Sequence, residues 1–536
     1  MRLRGFYAND GQKWSMHMAI MNDKMESGGR CMLLAASALA LMVGTAPMSW
    51  AQTATGSQAT APRGVISMGL SEFVARLRAS NKTILSKKSE ADVAATGIDR
   101  AAGAFQPIGS ASVMRGMSRQ KNTFEEELTR QGLGVYEREG NDFSVGVTQL
   151  VPMTGAKLEG KVSLSRSLTN TDRLDPLRPS DAYNNRSVAS LSLTQPLARD
   201  AGGEVTEARL NVARLDTTAA ELTQRDTETS VVAEAIVAYY ELVAAQLRVT
   251  SEAEKIRTGE RLLNEAQNLH RMGRLSESDI SEVENALARY KASHSEALQN
   301  QKERENRLRT MLLLDDAKQG IRASDALPTV ENKPVDADAT LRIALERRED
   351  FQMRKVQVER EGIQLAYSKN QTLPRIDLVG SYGLNGLEYT ANSALAANRM
   401  SDYPSWTLGL QFSAPLGSNR QAESDLKAAQ LRREEALLNL KAVEVQIAND
   451  IDTTLGMRKS MAERWNLWDQ VQKRETRQLA VERSKFAEGR SDMREILLRE
   501  ERVVNAGLSL REQQVGFARA QTLFEAAQGT LMDRFR

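Results

Sequence analysis

The chain has 536 residues, of which 41% are hydrophobic, and its 72 basic side chains are balanced by 70 acidic ones. This balance leaves no net polyelectrolyte character, which argues against nucleic acid as a partner. The length exceeds that of one ordinary domain, so internal repetition decides the domain organisation better than a count from length does.

The N-terminal segment, residues 1–51, is predicted to be a secretory signal peptide. Arg30 precedes an apolar run from Cys31 to Val43, and Ser49–Ala51 resembles a small-residue cleavage site. The run is too short to span a bilayer as a helix. A buried N-terminal helix is the alternative. The segment before Met25 is long for the start of a signal, so translation from Met16, Met18, Met21 or Met25 is a further alternative.

Cys31 is the only cysteine in the sequence, and it would leave with the signal. The mature chain is therefore predicted to contain no disulfide and no cysteine-based metal site. Residues 52–64, rich in Ala, Thr, Gln and Gly, are predicted to be a disordered lead-in. No later segment contains 18 consecutive apolar residues, so we expect no transmembrane helix.

The rest of the chain contains one pattern twice. A helix, strand-like sequence and a long helical hairpin occupy residues 65–314, and the same order returns in residues 340–536. In the first copy the opening helix is predicted over Gly69–Ala104. Residues 315–339 contain two prolines, Pro328 and Pro334, and are predicted to be a linker between the repeats.

The strand-like segments alternate between apolar and small polar residues. In the second repeat the apolar Trp406, Leu408, Leu410 and Phe412 are separated by Thr, Gly and Gln. This alternation is typical of a transmembrane strand with lipid on one side and water on the other. It also fits the half-buried strands of a soluble sandwich.

The first repeat contains an additional strand pair. Ser144–Leu150 and Lys157–Ser165 flank Pro152-Met-Thr-Gly155, which is turn-like sequence. These features predict a hairpin that has no counterpart in the second repeat.

The helical segments have apolar residues at a spacing of seven. The series is Leu242, Val249, Ile256, Leu263, Ile280 and Leu287 in the first repeat and Ile496, Val503, Leu510, Phe517, Phe524 and Leu531 in the second. Such a period predicts left-handed supercoiled hairpins. One glycine interrupts each hairpin, Gly273 or Gly489, and each is followed seven residues later by isoleucine. A soluble coiled-coil scaffold would explain these helices but not the strands.

Residues for catalysis or metal binding do not form a recognisable set. After removal of the signal only His270 and His294 remain, on opposite arms of one hairpin and without metal-ligand spacing. No phosphate-binding loop or zinc-protease motif is present in the sequence. We therefore expect no enzyme activity, no catalytic residues, no cofactor and no metal.

The order of signal, helix, strands and long helical hairpin, occurring twice, is similar to that of the TolC-like outer membrane efflux proteins, also called outer membrane factors. Arg348–Asp350 and Leu373–Leu378 resemble sequences before and at the start of that family's second strand region. Gly273–Ile280 and Gly489–Ile496 resemble its helical-tip turns. The resemblance covers about Val65 to Arg536.

The resemblance implies a mainly α fold with a membrane β-barrel portion. Three identical chains would each give four strands to a twelve-stranded barrel in the cell outer membrane, with the helices forming a tunnel in the periplasm. The extra hairpin departs from this pattern and is either a periplasmic or extracellular elaboration or an alteration of the barrel.

The implied function is a passive exit duct of a tripartite efflux or type I secretion system. It would contact outer-membrane lipid and a periplasmic adaptor (membrane fusion) protein, and an inner-membrane transporter indirectly. The alternative is a soluble periplasmic coiled-coil adaptor or scaffold protein.

The resemblance also assigns candidate site residues. Those at the adaptor-docking tips are Gly273, Leu275, Ser276, Asp279, Ile280, Gly489, Asp492, Glu495 and Ile496. Glu495 corresponds to an acidic residue that constricts the channel in some family members. The next such position is Leu498 here, which departs from the acidic pattern.

Overall fold

The computed structural model describes residues 66–174, 182–314, 320–331, 334–398 and 402–535. All of them belong to one compact unit, Pro62–Arg536. The predicted signal peptide, residues 1–51, and the predicted lead-in, residues 52–64, lie outside the described residues.

Long helices and one large sheet make up the described part. The helices are α1 (Leu70–Ser80), α2 (Lys82–Ala102), α3 (Phe124–Thr129), α4 (Gly203–Thr206), α5 (Ala208–Arg271), α6 (Glu277–Met311), α7 (Ala337–Arg347), α8 (Glu349–Gln371), α9 (Ala391–Ala397), α10 (Arg420–Ala487) and α11 (Met493–Gln528). The strands are β1 (Ile66–Met68), β2 (Ile108–Lys121), β3 (Val135–Leu150), β4 (Lys157–Thr169), β5 (Asn184–Pro196), β6 (Ile321–Ala323), β7 (Arg375–Glu388) and β8 (Pro404–Ser413).

The large sheet contains six strands in the order β2-β3-β4-β5-β7-β8, and every neighbouring pair is antiparallel. The resemblance implies four strands per chain, so the described sheet differs from that expectation. The difference is the β3–β4 hairpin, which contains the strand pair predicted from the sequence and is longer than predicted.

Two helical hairpins follow the two strand regions. The α5–α6 hairpin has arms of 64 and 35 residues, and the α10–α11 hairpin has arms of 68 and 36 residues. At 1.5 Å per residue α5 is about 96 Å long. Some of the residues spaced by seven are buried where the hairpins pack, such as Leu242 and Leu287 in the first hairpin and Phe517 and Phe524 in the second. Others, such as Val249 and Val503, are half-buried.

The opening helix of the first repeat is divided, contrary to the single helix predicted over Gly69–Ala104. Asn81 has extended backbone between α1 and α2, and its side chain accepts a hydrogen bond of 2.9 Å from the backbone N–H of Thr83. An asparagine that caps a helix in this way starts a new one. In the second repeat Arg348, which also has extended backbone, separates α7 from α8, but without a capping side-chain hydrogen bond.

The predicted linker contains packed structure. Its residues Ile321–Ala323 form β6, which pairs in parallel with β1, and Asp325 Oδ2 accepts a hydrogen bond of 2.7 Å from the backbone N–H of Leu70. The fully buried Tyr239 of α5 donates to the carbonyl of Met68 at 3.0 Å. These contacts fasten the segment between the repeats to the start of the first repeat.

Among the described helices, α5 has an 18-residue window that is long and apolar enough to cross a membrane by composition. Of that window 56% is buried inside the protein. The fully buried Ile236, Tyr239 and Leu242 belong to the main core, together with residues of α1, α6 and α11. Core packing therefore accounts for the apolar composition of α5.

Candidate functional site: the sheet faces and the helical tips

One face of the large sheet exposes a continuous set of large apolar side chains, here called the apolar face. The register places Trp406 opposite Tyr382, and Tyr382 opposite Leu191. Trp406 is 75% exposed and Val145 is 62% exposed. The exposed members are Val113, Phe143, Val145, Val147, Leu158, Val162, Leu191, Leu193, Tyr382, Trp406, Leu408, Leu410 and Phe412.

The opposite face of the sheet, here called the polar face, carries small and hydrophilic side chains. Ser112 and Ser144 face each other across β2 and β3, with their hydroxyl oxygens 2.8 Å apart. Lys161 and Ser163 of β4 and Gln411 of β8 also lie on this face, because successive residues of a strand alternate between faces. An exposed apolar face of this extent marks a surface that something else covers.

The two outermost strands, β2 and β8, have free edges in the isolated chain. All ten residues of β8 are exposed. Because the sheet has an even number of strands, six, β2 and β8 run in opposite directions. A long apolar edge is a template for pairing with another chain.

The first helical tip is built around Gly273. Its φ of 73° is in the left-handed region that favours glycine, and its N–H donates to the carbonyl of His270 at 2.8 Å. Ser276 then caps α6: its hydroxyl accepts from the N–H of Asp279, and the Asp279 carboxylate accepts from the N–H of Ser276 at 3.1 Å. This reciprocal pair fixes the start of α6.

The second tip repeats the turn with different capping. Gly489 has the same φ of 73°, and its N–H donates to the carbonyl of Phe486 at 3.0 Å. Asp492 caps α11 by accepting from the N–H of Glu495 at 2.8 Å. Glu495 does not complete a capping box but accepts from Arg499 Nε at 2.9 Å.

The two tips pack against each other within one chain. Their shared apolar cluster consists of Leu262, Ala266, Val283, Ala286, Tyr290, Met493, Ile496 and Leu497. Ile496 is only 3% exposed, so most of its side chain contributes to packing between the hairpins. Arg494 of α11 and Glu282 of α6 form an ion pair of 3.3 Å beside the cluster.

A groove of about 1050 Å³, here called the tip groove, lies between the two turns. Five of the nine tip residues singled out from the sequence line it: Leu275, Asp279, Gly489, Asp492 and Ile496. The other four, Gly273, Ser276, Ile280 and Glu495, lie outside its lining. Ile280 instead packs on the tip cluster from the side.

The groove also contains charged residues that sequence reasoning missed. Arg261, Glu265, Arg274 and Arg483 line it together with Phe486. In the sequence they look like ordinary solvated charges of long helices. Only the packing of four helix ends shows that they share one surface.

Electrostatic contacts near the second turn fix several of its charges. The hydrogen bond from the Ser491 hydroxyl, at 2.5 Å, and the ammonium group of Lys485 hold the pKa of Glu482 below its usual range. Glu495, the candidate constriction residue, is paired with Arg499, which also donates to Gln478 at 2.6 Å. The charge of Glu495 is thus balanced within its own chain.

Another group of charges lies where α5, α8 and α10 meet. Arg348 donates to Asp350 at 2.7 Å and to Asp450 at 2.9 Å, so the Arg348–Asp350 sequence fastens the start of α8 to α10. Burial, reinforced by Asp350, raises the pKa of Asp226. Burial likewise raises the pKa of Glu349.

The described residues contain no group of three or more His, Cys, Asp or Glu side chains suited to a metal ion. His270 lies at the first tip, with Nδ1 2.8 Å from the carbonyl oxygen of Leu275. This contact braces the turn.

Residues 340–527 match the family model described as outer membrane efflux protein. No curated protein matches the chain. The matched residues cover nearly all of the second repeat, from α7 to the last turn of α11.

Several solved structures share the fold over most of the chain. The CmeC outer membrane channel of Campylobacter jejuni is 15% identical with a TM-score of 0.60, covering 86% of each chain. The outer-membrane channel OprN is 16% identical with a TM-score of 0.60, covering 86% of this chain and 89% of that one. The outer membrane protein VceC of Vibrio cholerae is 14% identical with a TM-score of 0.57, covering 86% and 96%. The mainly helical fold with a sheet portion, predicted from the sequence, is confirmed.

Proposed function

We propose that this protein is a passive exit duct. Two findings support the proposal: residues 340–527 match the model of the outer membrane efflux protein family, and the described chain has the fold of outer-membrane channels. The family match over residues 340–527 supports the outer-membrane class predicted from the sequence. The finer proposal is a homotrimer whose sheets span the outer membrane and whose helical hairpins form a tunnel in the periplasm. It would serve tripartite efflux or type I secretion without enzymatic activity of its own.

The observation that carries this proposal is the two-faced sheet. Its strands are 10 to 16 residues long, and about 9–11 residues are enough for a tilted strand to cross a bilayer. Lipid would cover the apolar face, which includes Val145 and Phe412. Water would contact the polar face, which includes Ser144 and Gln411. A soluble coiled-coil adaptor, the alternative, offers nothing to cover that face.

The free edges support assembly from several copies. In a bilayer an open edge would leave backbone N–H and C=O groups without partners, so only a closed barrel is stable there. Pairing β8 of one copy with β2 of the next would satisfy both edges and keep the antiparallel alternation. The number of copies, three, rests on the resemblance to the family.

The tip groove supports docking of a periplasmic adaptor protein. α5 follows β5 in the chain and is about 96 Å long, so the groove at its C-terminal end lies far from the sheet. Leu275 and Phe486 contribute apolar surface to the groove, and Arg274, Asp279 and Asp492 contribute charges. A coiled-coil hairpin end with apolar and charged residues would fit such a surface. The transporter in the inner membrane would then be reached through the adaptor.

Membrane extraction tests the duct against its alternative. Cells that produce the full chain are fractionated, and the membranes are washed with alkaline carbonate and then dissolved in detergent. We expect the protein to stay with the outer membrane and to elute from a sizing column as an oligomer. Recovery as a soluble periplasmic protein would overturn the proposal in favour of a scaffold or adaptor.

A further inference from the structure

The β3–β4 hairpin lies inside the large sheet, not beside it. It separates β2 from β5, and it is paired along its length with both: β3 with β2 up to Lys121↔Val135, and β4 with β5 from Lys157↔Thr194. If this hairpin were outside the membrane, β2 would have no neighbour in its own chain. Its position in the strand order therefore ties its location to that of the whole sheet.

The hairpin also carries the same two faces as the strands around it. Phe143 lies opposite Leu164 and Val113, and Val145 lies opposite Val162. Phe143, Val145 and Val162 are all exposed. The alternate positions, such as Ser144 and Ser163, lie opposite each other on the polar face. If the hairpin lay in the periplasm or outside the cell, these apolar side chains would be exposed to water.

The turn of the hairpin reaches the level at which the sheet meets the helices. The carbonyl of Thr154 accepts from the N–H of Gly202 at 3.3 Å and from Gln195 Nε2 at 2.9 Å. Gly203 begins α4, just before α5, so the turn is fastened to the first helical residues after β5. Both strands of the hairpin thus extend as far toward the helices as β5 does.

We propose that the β3–β4 hairpin spans the outer membrane and that each copy gives six strands, not four, to the barrel. The proposal rests on the trimeric duct proposed above, in which three copies would close a barrel of eighteen strands. With strands about 4.8 Å apart and tilted by about 40°, the backbone diameter would be about 36 Å, against about 24 Å for twelve strands. The membrane section would hold an open aqueous bore like that of large porins, roomy enough for a hydrated polymer on the order of 20 Å across. Passage of cargo would then be limited by the helical part.

Spin labels attached to single cysteines test whether the hairpin is in the membrane. In the Cys31→Ser background, Val145→Cys reports on the hairpin, Leu410→Cys on β8 and Ser144→Cys on the polar face. In liposomes we expect Val145→Cys and Leu410→Cys to relax faster with lipid-soluble oxygen than with a water-soluble nickel chelate, and Ser144→Cys to show the reverse.

The Leu410→Cys label on β8 distinguishes a failure of the eighteen-stranded barrel from a failure of the duct proposal. A water-exposed Val145→Cys beside a lipid-exposed Leu410→Cys would overturn the eighteen-stranded barrel and leave the duct intact. Water exposure at both positions would overturn the duct itself.

Removal of the hairpin gives an independent measurement. Deleting residues 135–169 joins two loops on the same side of the sheet and leaves β2 and β5 antiparallel. Electron microscopy of the intact complex should show a barrel about 36 Å across, and the deletion variant about 24 Å. A barrel of about 24 Å in the intact complex would contradict the proposal, whether or not the variant folds.

Discussion

Asp279 has two roles that its position in the sequence did not separate. Its carboxylate caps α6 together with Ser276, and it also lines the tip groove. A capping residue belongs to the helix, whereas a groove residue belongs to the surface offered to a partner. The structure shows that one carboxylate does both, because the first turn of α6 forms part of the groove wall.

Reversing the charge of Asp279 is expected to weaken binding of the adaptor. Asp279→Arg places a cation beside Arg274 and Arg261. It also removes the carboxylate half of the capping box at the start of α6, at a cost of about 1 kcal/mol in helix stability, while the cap from the Ser276 hydroxyl remains. Affinity for the adaptor, measured by biolayer interferometry on the detergent-solubilised oligomer, should fall at least tenfold. Glu284→Arg, an exposed position on the same helix, is the matched control and should bind normally. Equal binding by all three proteins would remove the groove from the docking surface.

The raised pKa of Asp226 predicts how the stability of the fold depends on pH. Its pKa is raised by burial and by Asp350, so the folded state holds a proton that the unfolded state has already released. Stability contributed by protonated Asp226 is therefore present at low pH and lost as pH rises through the raised pKa. Asp226→Asn should raise the melting temperature at pH 7, and the gain should shrink toward pH 4. The exposed Asp452→Asn should show no such trend; an equal gain at both pH values would contradict the assignment.

The two helical hairpins show how similar elements acquire different details. Both turns use a glycine with φ of 73°, yet the first has a reciprocal capping box and the second has a single cap from Asp492. The spacing from glycine to isoleucine is the same, but Ile280 is half-buried and Ile496 is fully buried. The two turns therefore have the same backbone conformation at the glycine but different side-chain contacts.

Substituting the turn glycine should strain the tip. Gly489→Ala forces an L side chain into the left-handed region, at a cost of about 1–2 kcal/mol. Nothing lies near the added methyl group, so the effect comes from the backbone alone. Gly456→Ala, in the interior of α10 and also in open space, should instead stabilise by about 0.5–1 kcal/mol. Hydrogen exchange of the two hairpin ends should show faster exchange at the tip only for Gly489→Ala; identical exchange in both variants would argue against strain there.

Several features of the large sheet would be stabilised only by a membrane and by further copies of the chain. Within one chain it has two free edges and an uncovered apolar face, which are liabilities in water. In a bilayer the same features become the lipid contact and the contacts between copies. The helices would then enclose the tunnel, and the tip groove would be offered to the adaptor.

A charge on either face of β8 should have opposite consequences. Leu410→Arg puts a guanidinium group on the apolar face, a change that costs about 2–4 kcal/mol at the bilayer midplane and less toward either interface. Gln411→Arg, its neighbour, points to the polar face and should be tolerated. The amount of oligomer recovered from outer membranes should drop for Leu410→Arg and stay near normal for Gln411→Arg. Equal recovery of both variants would mean that the apolar face does not contact lipid.

The features that depend on local spacing were predictable from the sequence. The duplication, the strand alternation, the heptads and the two glycine turns are all visible in short segments, because backbone preference and side-chain period act over a few residues. The same local logic made residues 315–339 look like a free linker, although Ile321–Ala323 pair with Ile66–Met68.

Which of these segments contact one another is visible only in the folded chain. The place of the β3–β4 hairpin between β2 and β5, the burial of Ile496 and the charged lining of the tip groove all arise from contacts between residues far apart in the chain. Such contacts depend on how whole helices and strands pack. The residue pattern within one segment does not indicate which other segments it will contact. The hairpin that looked like a departure from the repeat is therefore an integral part of the sheet.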